Sequence, residues 1–177
     1  MYAGKYAVER ADVPAFIMAG SGEAVSYAKF DARTNRLAHL LRAQGLRRLD
    51  HYAIYMENNS RYLEACGAGE RAGLYYTCVN SYLTADELAY IVQNSEAKVL
   101  ITSAEKLAVA REALKACPNV RLCLVVGAGA AGGVREPWPC SEFDNGATRA
   151  AISARANDFF MRDAVGGTSP TAASAAG

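Results

Sequence analysis

Apolar positions along this chain keep two rhythms in turn. Four short unbroken runs, YAIYM (52–56), LYYTCVN (74–80), AKVLITS (97–103) and VRLCLVV (120–126), have strand length and a β-branched or aromatic bias. Between them apolar residues recur at three- and four-residue spacing, the period of a helix with one buried face. ENNSRYLEACGAGERAG (57–73) turns from a strand end into a helix that Ser60 caps and Gly73 stops. Thr84 with Glu87 three residues on is a capping box, and Leu88, Ile91 and Val92 supply the stripe of the helix it opens. A third helix is predicted over 103–117, with Leu107, Ala110 and Leu114 on one face and Pro118-Asn119 breaking it.

Upstream, AFIMAG and EAVSYA flank Gly20-Ser21-Gly22, the pattern of a short hairpin. It feeds a helix that Ser26 can cap, with Phe30, Thr34, Leu37, Ala38 and Leu41 at helical spacing and Gly45 placed to end it. His39 lies off that stripe and reads as a surface histidine. Strands alternating with helices over 52–126 predict right-handed βαβ units and a parallel sheet with helices on both faces. Strands apolar along their whole length fit burial on both sides. The expected fold is therefore α/β, a parallel sheet of alternating βαβ units preceded by a short N-terminal hairpin. After Val126 the text becomes rich in glycine, alanine and proline, with one short helix expected around 148–160 and disorder expected over 166–177. Two regions follow: 1–126 as the α/β unit and 127–177 as an irregular, partly disordered tail.

A chain of 177 residues can bury roughly 70% of the surface its unfolded form exposes, so a core needs no covalent staples. A net charge of +1 leaves no basic stripe for nucleic acid. Arg42, Arg47 and Arg48 read as a solvated helix end. The five cysteines, Cys66, Cys78, Cys117, Cys123 and Cys140, are odd in number and contain no C-x-x-C pair. Neither a disulfide framework nor a zinc site is indicated, and reduced, mostly buried thiols are expected. The first residues mix charges among apolar positions, and no run approaches the ~20 apolar residues a membrane span requires. A cytoplasmic protein with no membrane span is the expectation.

Candidate chemistry centres on VVGAGAAGGVREPWP, where Gly127, Gly129 and Gly132 spell G-x-G-x-x-G after a strand. In a dinucleotide site the third glycine opens a helix whose N–H groups meet the pyrophosphate. Here Pro137 and Pro139 follow too soon for that helix, and Asp144, at the distance of a ribose-binding acid, sits in loop-like text. The run reads as a flexible exit from a strand. No G-x-x-x-x-G-K-[ST] string exists, and neither His39 nor His51 stands near a nucleophile elbow. Asp86 and Glu87 are explained by helix capping and dipole, and Tyr75 and Tyr76 by core packing in a strand. The residues assign no catalytic, cofactor-binding or metal position.

Several ordered motifs nevertheless resemble one family. Val25-Ser26-Tyr27-Ala28-Lys29-Phe30 opens a helix with a small residue and tyrosine. Ala72-Gly73-Leu74-Tyr75-Tyr76-Thr77-Cys78-Val79-Asn80 ends a helix at glycine and enters a strand closing on asparagine, and a Leu-Thr-x-x-Glu-Leu helix start runs from Leu83 to Leu88. In this order, over roughly 14–126, they resemble the N-terminal portion of AMP-forming acyl-CoA synthetases, within the adenylate-forming superfamily. Lys29 stands where that family usually has an acid, and Cys78 where it usually has proline.

The resemblance implies a partial version of the family's large N-terminal domain and a reaction in two halves. A carboxylate attacks the α-phosphate of ATP to give an acyl-adenylate, and the thiol of coenzyme A then displaces AMP. ATP, Mg²⁺ and CoA are implied for the full-length family, with a phosphate loop ending in Pro-Lys-Gly. The nearest string here, Gly166-Gly167-Thr168-Ser169-Pro170-Thr171, has no lysine. The expectation is a truncated ligase, or one altered by a frame change near Cys140, that is inactive as this chain alone and binds none of these cofactors tightly. Apolar surface left uncovered would favour self-association. The alternative is a non-catalytic α/β binding or interaction module.

Overall fold

The computed structural model describes residues 4–126 of the chain. The strand content lies in a hairpin and a sheet. Strands β1 (Pro14–Ile17) and β2 (Ala24–Ser26) pair antiparallel around the Gly20-Ser21-Gly22 turn, as predicted. Ser26 then caps α2 (Tyr27–Ala43), its Oγ accepting from the Lys29 N–H at 3.3 Å. A short helix α1 (Gly4–Glu9), not signalled by any apolar period, precedes the hairpin. It is fixed by long-range contacts: the Tyr6 and Tyr27 rings lie 5.3 Å apart, and the N–H groups of Tyr27 and Ala28 donate to the carbonyls of Val13 and Ala11.

The sheet comprises β3 (His51–Tyr55), β4 (Tyr75–Val79), β5 (Val99–Ser103) and β6 (Leu122–Val126), all parallel in the order β4-β3-β5-β6. Helix α3 (Ser60–Ala72) joins β3 to β4, α4 (Ala85–Asn94) joins β4 to β5, and α5 (Leu107–Leu114) joins β5 to β6. Helices α2 and α3 cover one face, burying Leu37, Leu41 and Ala68 against Ile54, Ile101 and Leu124. Helices α4 and α5 cover the other, burying Leu88, Val92 and Ala110 against Tyr55, Leu100 and Cys123. The expected two-faced α/β fold is therefore observed.

Local chemistry explains most boundaries. Gly73 ends α3 with φ +68, a left-handed conformation that glycine adopts without a Cβ clash. The predicted capping box at α4 is present, with the Glu87 carboxylate accepting from the Thr84 N–H at 2.9 Å and its hydroxyl at 2.8 Å. Two boundaries differ from expectation. Asn59, not Ser60, caps α3, its Oδ1 accepting from the Arg61 N–H at 2.9 Å. Helix α5 starts at Leu107, not Ser103, because Thr102 and Ser103 are in register with Val125 and Val126 of β6.

Two burial expectations are also corrected. Tyr75 is 58% exposed, because β4 is an edge strand, and its ring stands edge-on to His51 rather than in a core. Cys78, on the same edge strand, is exposed, whereas Cys117 and Cys123 are buried as expected. Arg42, Arg47 and Arg48 are solvated as predicted. The glycine run with Gly127, Gly129 and Gly132, together with Cys140, Asp144, the helix expected around 148–160 and the Gly166–Thr171 string, lies outside the described residues.

Candidate functional site

The strand order creates one special place. The chain leaves β3 through α3 toward β4 on one side and leaves β5 through α5 toward β6 on the other. Adjacent strands whose connections diverge leave a crevice at their carboxyl ends, where open α/β sheets collect ligands. The loops after β3, β4 and β5 meet here and bring together Glu57, Asn59, Tyr82, Ser103 and Lys106.

Glu57 is the centre of this cluster. Its carboxylate accepts from the Ser103 hydroxyl at 2.5 Å and from the Asn59 side-chain amide at 3.0 Å. Partial burial pushes its pKa up, but the bonds from Ser103, its own backbone and Asn59, with the Lys106 charge, outweigh that and hold it below the ordinary glutamate value. Ser103 Oγ also accepts from the Lys106 N–H at 3.2 Å, which fixes the first turn before α5. The Lys106 ammonium pairs with Glu105 at 3.2 Å and lies 5.5 Å from the Tyr82 ring centroid; the Glu105 bond raises its pKa. Tyr55 rises from the sheet beneath, its hydroxyl donating to the Leu83 carbonyl at 3.0 Å. The Thr102 hydroxyl beside it is fully buried and makes no hydrogen bond among the described residues.

This arrangement holds a carboxylate ionised and rigid, but it pairs no nucleophile with a base. The two histidines are elsewhere. His39 is exposed on α2, as predicted, and His51 opens β3 at the opposite end of the sheet, donating from Nδ1 to the Ser95 carbonyl at 2.5 Å. Asp86 and Glu87 sit in the first turn of α4, where Glu87 is engaged by Thr84. Tyr76 packs beside Tyr52 with ring centroids 6.0 Å apart, as expected for a core role. The Glu57 carboxylate is engaged by Ser103 and Asn59, and Lys106 by Glu105. Among the described residues no three His, Cys, Asp or Glu side chains gather to hold a metal ion.

A second concavity, of about 250 Å³, opens between the hairpin, α2 and α3, with Phe16, Tyr27, Phe30, Leu63, Cys66 and Arg71 on its walls. Its rim carries the ion pair of Arg71 with Asp31. Beneath it Gly67 lets α3 approach α2, since a Cβ there would lie 2.8 Å from the Thr34 methyl. Sequence reasoning missed both places. The signal for the crevice, Glu57 and Asn59 between an apolar strand and a helix, was present, but its partner Ser103 is 46 residues away and only the strand order brings the two together.

Comparison with known proteins identifies what kind of chain carries this geometry. The family model described as AMP-binding enzyme matches residues 5–158, beyond both ends of the motif resemblance. The 3-oxocholest-4-en-26-oate–CoA ligase of Rhodococcus rhodochrous is 34% identical over 112 residues, covering 63% of this chain and 20% of that protein. The crotonobetaine/carnitine–CoA ligase of Salmonella paratyphi A is 29% identical over 102 residues, covering 56% and 20% respectively. A crystal structure from Rhodopseudomonas palustris, assigned as a long-chain-fatty-acid CoA ligase, superposes with a TM-score of 0.67 at 26% identity, over 73% of this chain and 32% of that one. The chain thus spans about a fifth of the length of these curated relatives. Among the described residues no helix is long and apolar enough to cross a membrane. On the family match and the shared fold together, the chain belongs to the AMP-binding enzyme family, as an N-terminal portion of an AMP-forming acyl-CoA synthetase.

Proposed function

We propose that the chain contributes the N-terminal α/β part of a carboxylate–CoA ligase, acting on a fatty acid or another carboxylate through an acyl-adenylate. By itself it does not catalyse that reaction. The carrying observation is the family match over residues 5–158, joined to a crevice whose carboxylate is already satisfied by Ser103 and Asn59. In this reading ATP, Mg²⁺ and CoA are held by segments other than residues 4–126, and the α/β part supplies a rigid platform in a cytoplasmic protein. Preorganised donors are worth about 10² to 10³ in rate each, so a chain lacking the lysine-bearing phosphate loop should fall to background. The test is carboxylate-dependent exchange of pyrophosphate into ATP by the purified 177 residues, with a panel of fatty acids. No exchange above background is expected, and measurable exchange overturns the inactive-chain reading. Translating the neighbouring frames of the gene tests the frame-change version. A Ser/Thr/Gly-rich loop ending in Pro-Lys-Gly is expected there, and its absence removes that version.

A second reading, a non-catalytic interaction module, is favoured by β6. This strand, LCLVV, is buried on both faces and is the last of the sheet among the described residues. An apolar strand at a sheet edge is a template for pairing with another chain. Self-association in sedimentation, with hydrophobic-dye binding that falls as the chain associates, is the expected result. A compact monomer that binds no dye argues against it.

A further inference from the structure

We propose that Cys66 and Cys78 are a redox-active thiol pair, in which a peroxide drives closure of a disulfide joining α3 to the edge strand β4. The inference does not depend on the ligase reading and rests first on placement. Cys66 is partly buried on α3 and packs against the core beneath α2 and α3. Cys78 lies two residues beyond Tyr76 on β4 and so projects to the same sheet face, where Tyr76 packs on that core. The helix comes close to the sheet here: a Cβ on Gly69 would lie 2.8 Å from the Tyr76 ring. Burial raises the pKa of the Cys66 thiol and of the Tyr62 hydroxyl, and Cys78 lies near enough to both to raise them further.

The two thiols differ in role. Cys78 is exposed, so a peroxide reaches it first. Burial, and then the neighbouring Cys78, push the Cys66 pKa up to about 12, so Cys66 is not the thiol that reacts with peroxide, and it must give up its proton as it closes on oxidised Cys78. The Cys78 thiolate attacks a peroxide oxygen; an S–O bond forms, the O–O bond breaks, and hydroxide or alkoxide leaves with the electron pair. The Cys66 sulfur then attacks the Cys78 sulfenic acid. The S–S bond forms as the S–O bond breaks, and the departing hydroxide takes the Cys66 proton as water. Both sulfurs are oxidised and the peroxide is reduced; a small thiol reverses the change by exchange. Because Cys66 also lines the cleft beside Phe30 and Arg71, oxidation removes its thiol from that wall.

Treating the reduced, purified chain with hydrogen peroxide, blocking remaining thiols and digesting with trypsin without reductant tests this directly. Trypsin cuts after Arg71, between the two cysteines. The expected product is a joined pair of peptides carrying Cys66 and Cys78, two hydrogens lighter than the separate thiol peptides and lost on reduction. In Cys66→Ser, Cys78 should instead accumulate as a dimedone-trapped sulfenic acid, severalfold above wild type. No joined pair in the wild-type map, or Cys78 joined only between chains, overturns the proposal, and that map decides even where the variant fails to fold. An equal dimedone yield in wild type and Cys66→Ser also overturns it.

Discussion

The two faces of the sheet bury different chemistry. Under α4 and α5 the buried helix residues are small or apolar: Leu88, Ala89, Val92, Ala110 and Ala113. Under α2 and α3 an ion pair goes inside. Arg33 is 3% exposed and Glu64 is fully buried, with 2.7 Å between them. Arg61 reaches the second Glu64 oxygen at 2.8 Å, and Arg33 also approaches Glu23 of the hairpin at 3.9 Å. Desolvating two charges cancels most of their attraction, whereas leaving one unpaired is severe. One face therefore gains its stability from area. The other buries a charged contact that ties α2 to α3 and, at longer range, to the hairpin.

The largest expected effect is on the charged face. Glu64→Ala should destabilise the chain by about 3–5 kcal/mol in urea denaturation, because the buried Arg33 loses its 2.7 Å carboxylate and the more distant Glu23 replaces it only in part. Arg33→Leu combined with Glu64→Leu should recover much of that loss. A double variant as unstable as the single one would break the contrast between the faces. On the apolar face Leu88→Ala should cost about 2–5 kcal/mol through lost transfer energy and the cavity left behind. A cost well under that range would mean that face repacks easily.

Smaller effects sharpen the comparison at the carboxyl edge of the sheet. Asn59→Ala removes the α3 cap and a donor to Glu57, and should cost about 0.5–2 kcal/mol. The Glu57 effect depends on pH. Its folded pKa is depressed, so its contribution is present above the unfolded glutamate value and is lost as pH falls through the folded value. Stability measured from neutral toward acid pH should fall less steeply in Glu57→Gln than in wild type. Identical slopes would show that the Ser103 bond does not favour the ionised form.

The hairpin, the Ser26 cap, the Thr84–Glu87 box and the Gly73 stop were legible in the sequence because each is completed within a few residues of itself. The α5 start was misread because Ser103 suits a helix cap locally, while its ladder to β6 depends on residues further along. Tyr75 was misplaced for the same reason: its β-prone side chain fits a strand, but edge or centre is a property of strand order. The crevice was partly visible as polar text at a strand end. Its geometry was not, since Glu57 and Ser103 meet only because β5 lies next to β3.

By itself the sequence determined where strands and helices alternate, which helix faces are apolar and where most helices start and stop, because periodicity and capping act over a few residues. It also carried the ordered motifs of the AMP-binding enzymes. Only the tertiary structure decided the order β4-β3-β5-β6, the burial of Arg33 with Glu64 and the meeting of Glu57 with Ser103. Those outcomes depend on which faces meet when the crossovers pack, and no local propensity encodes a partner that lies on another element.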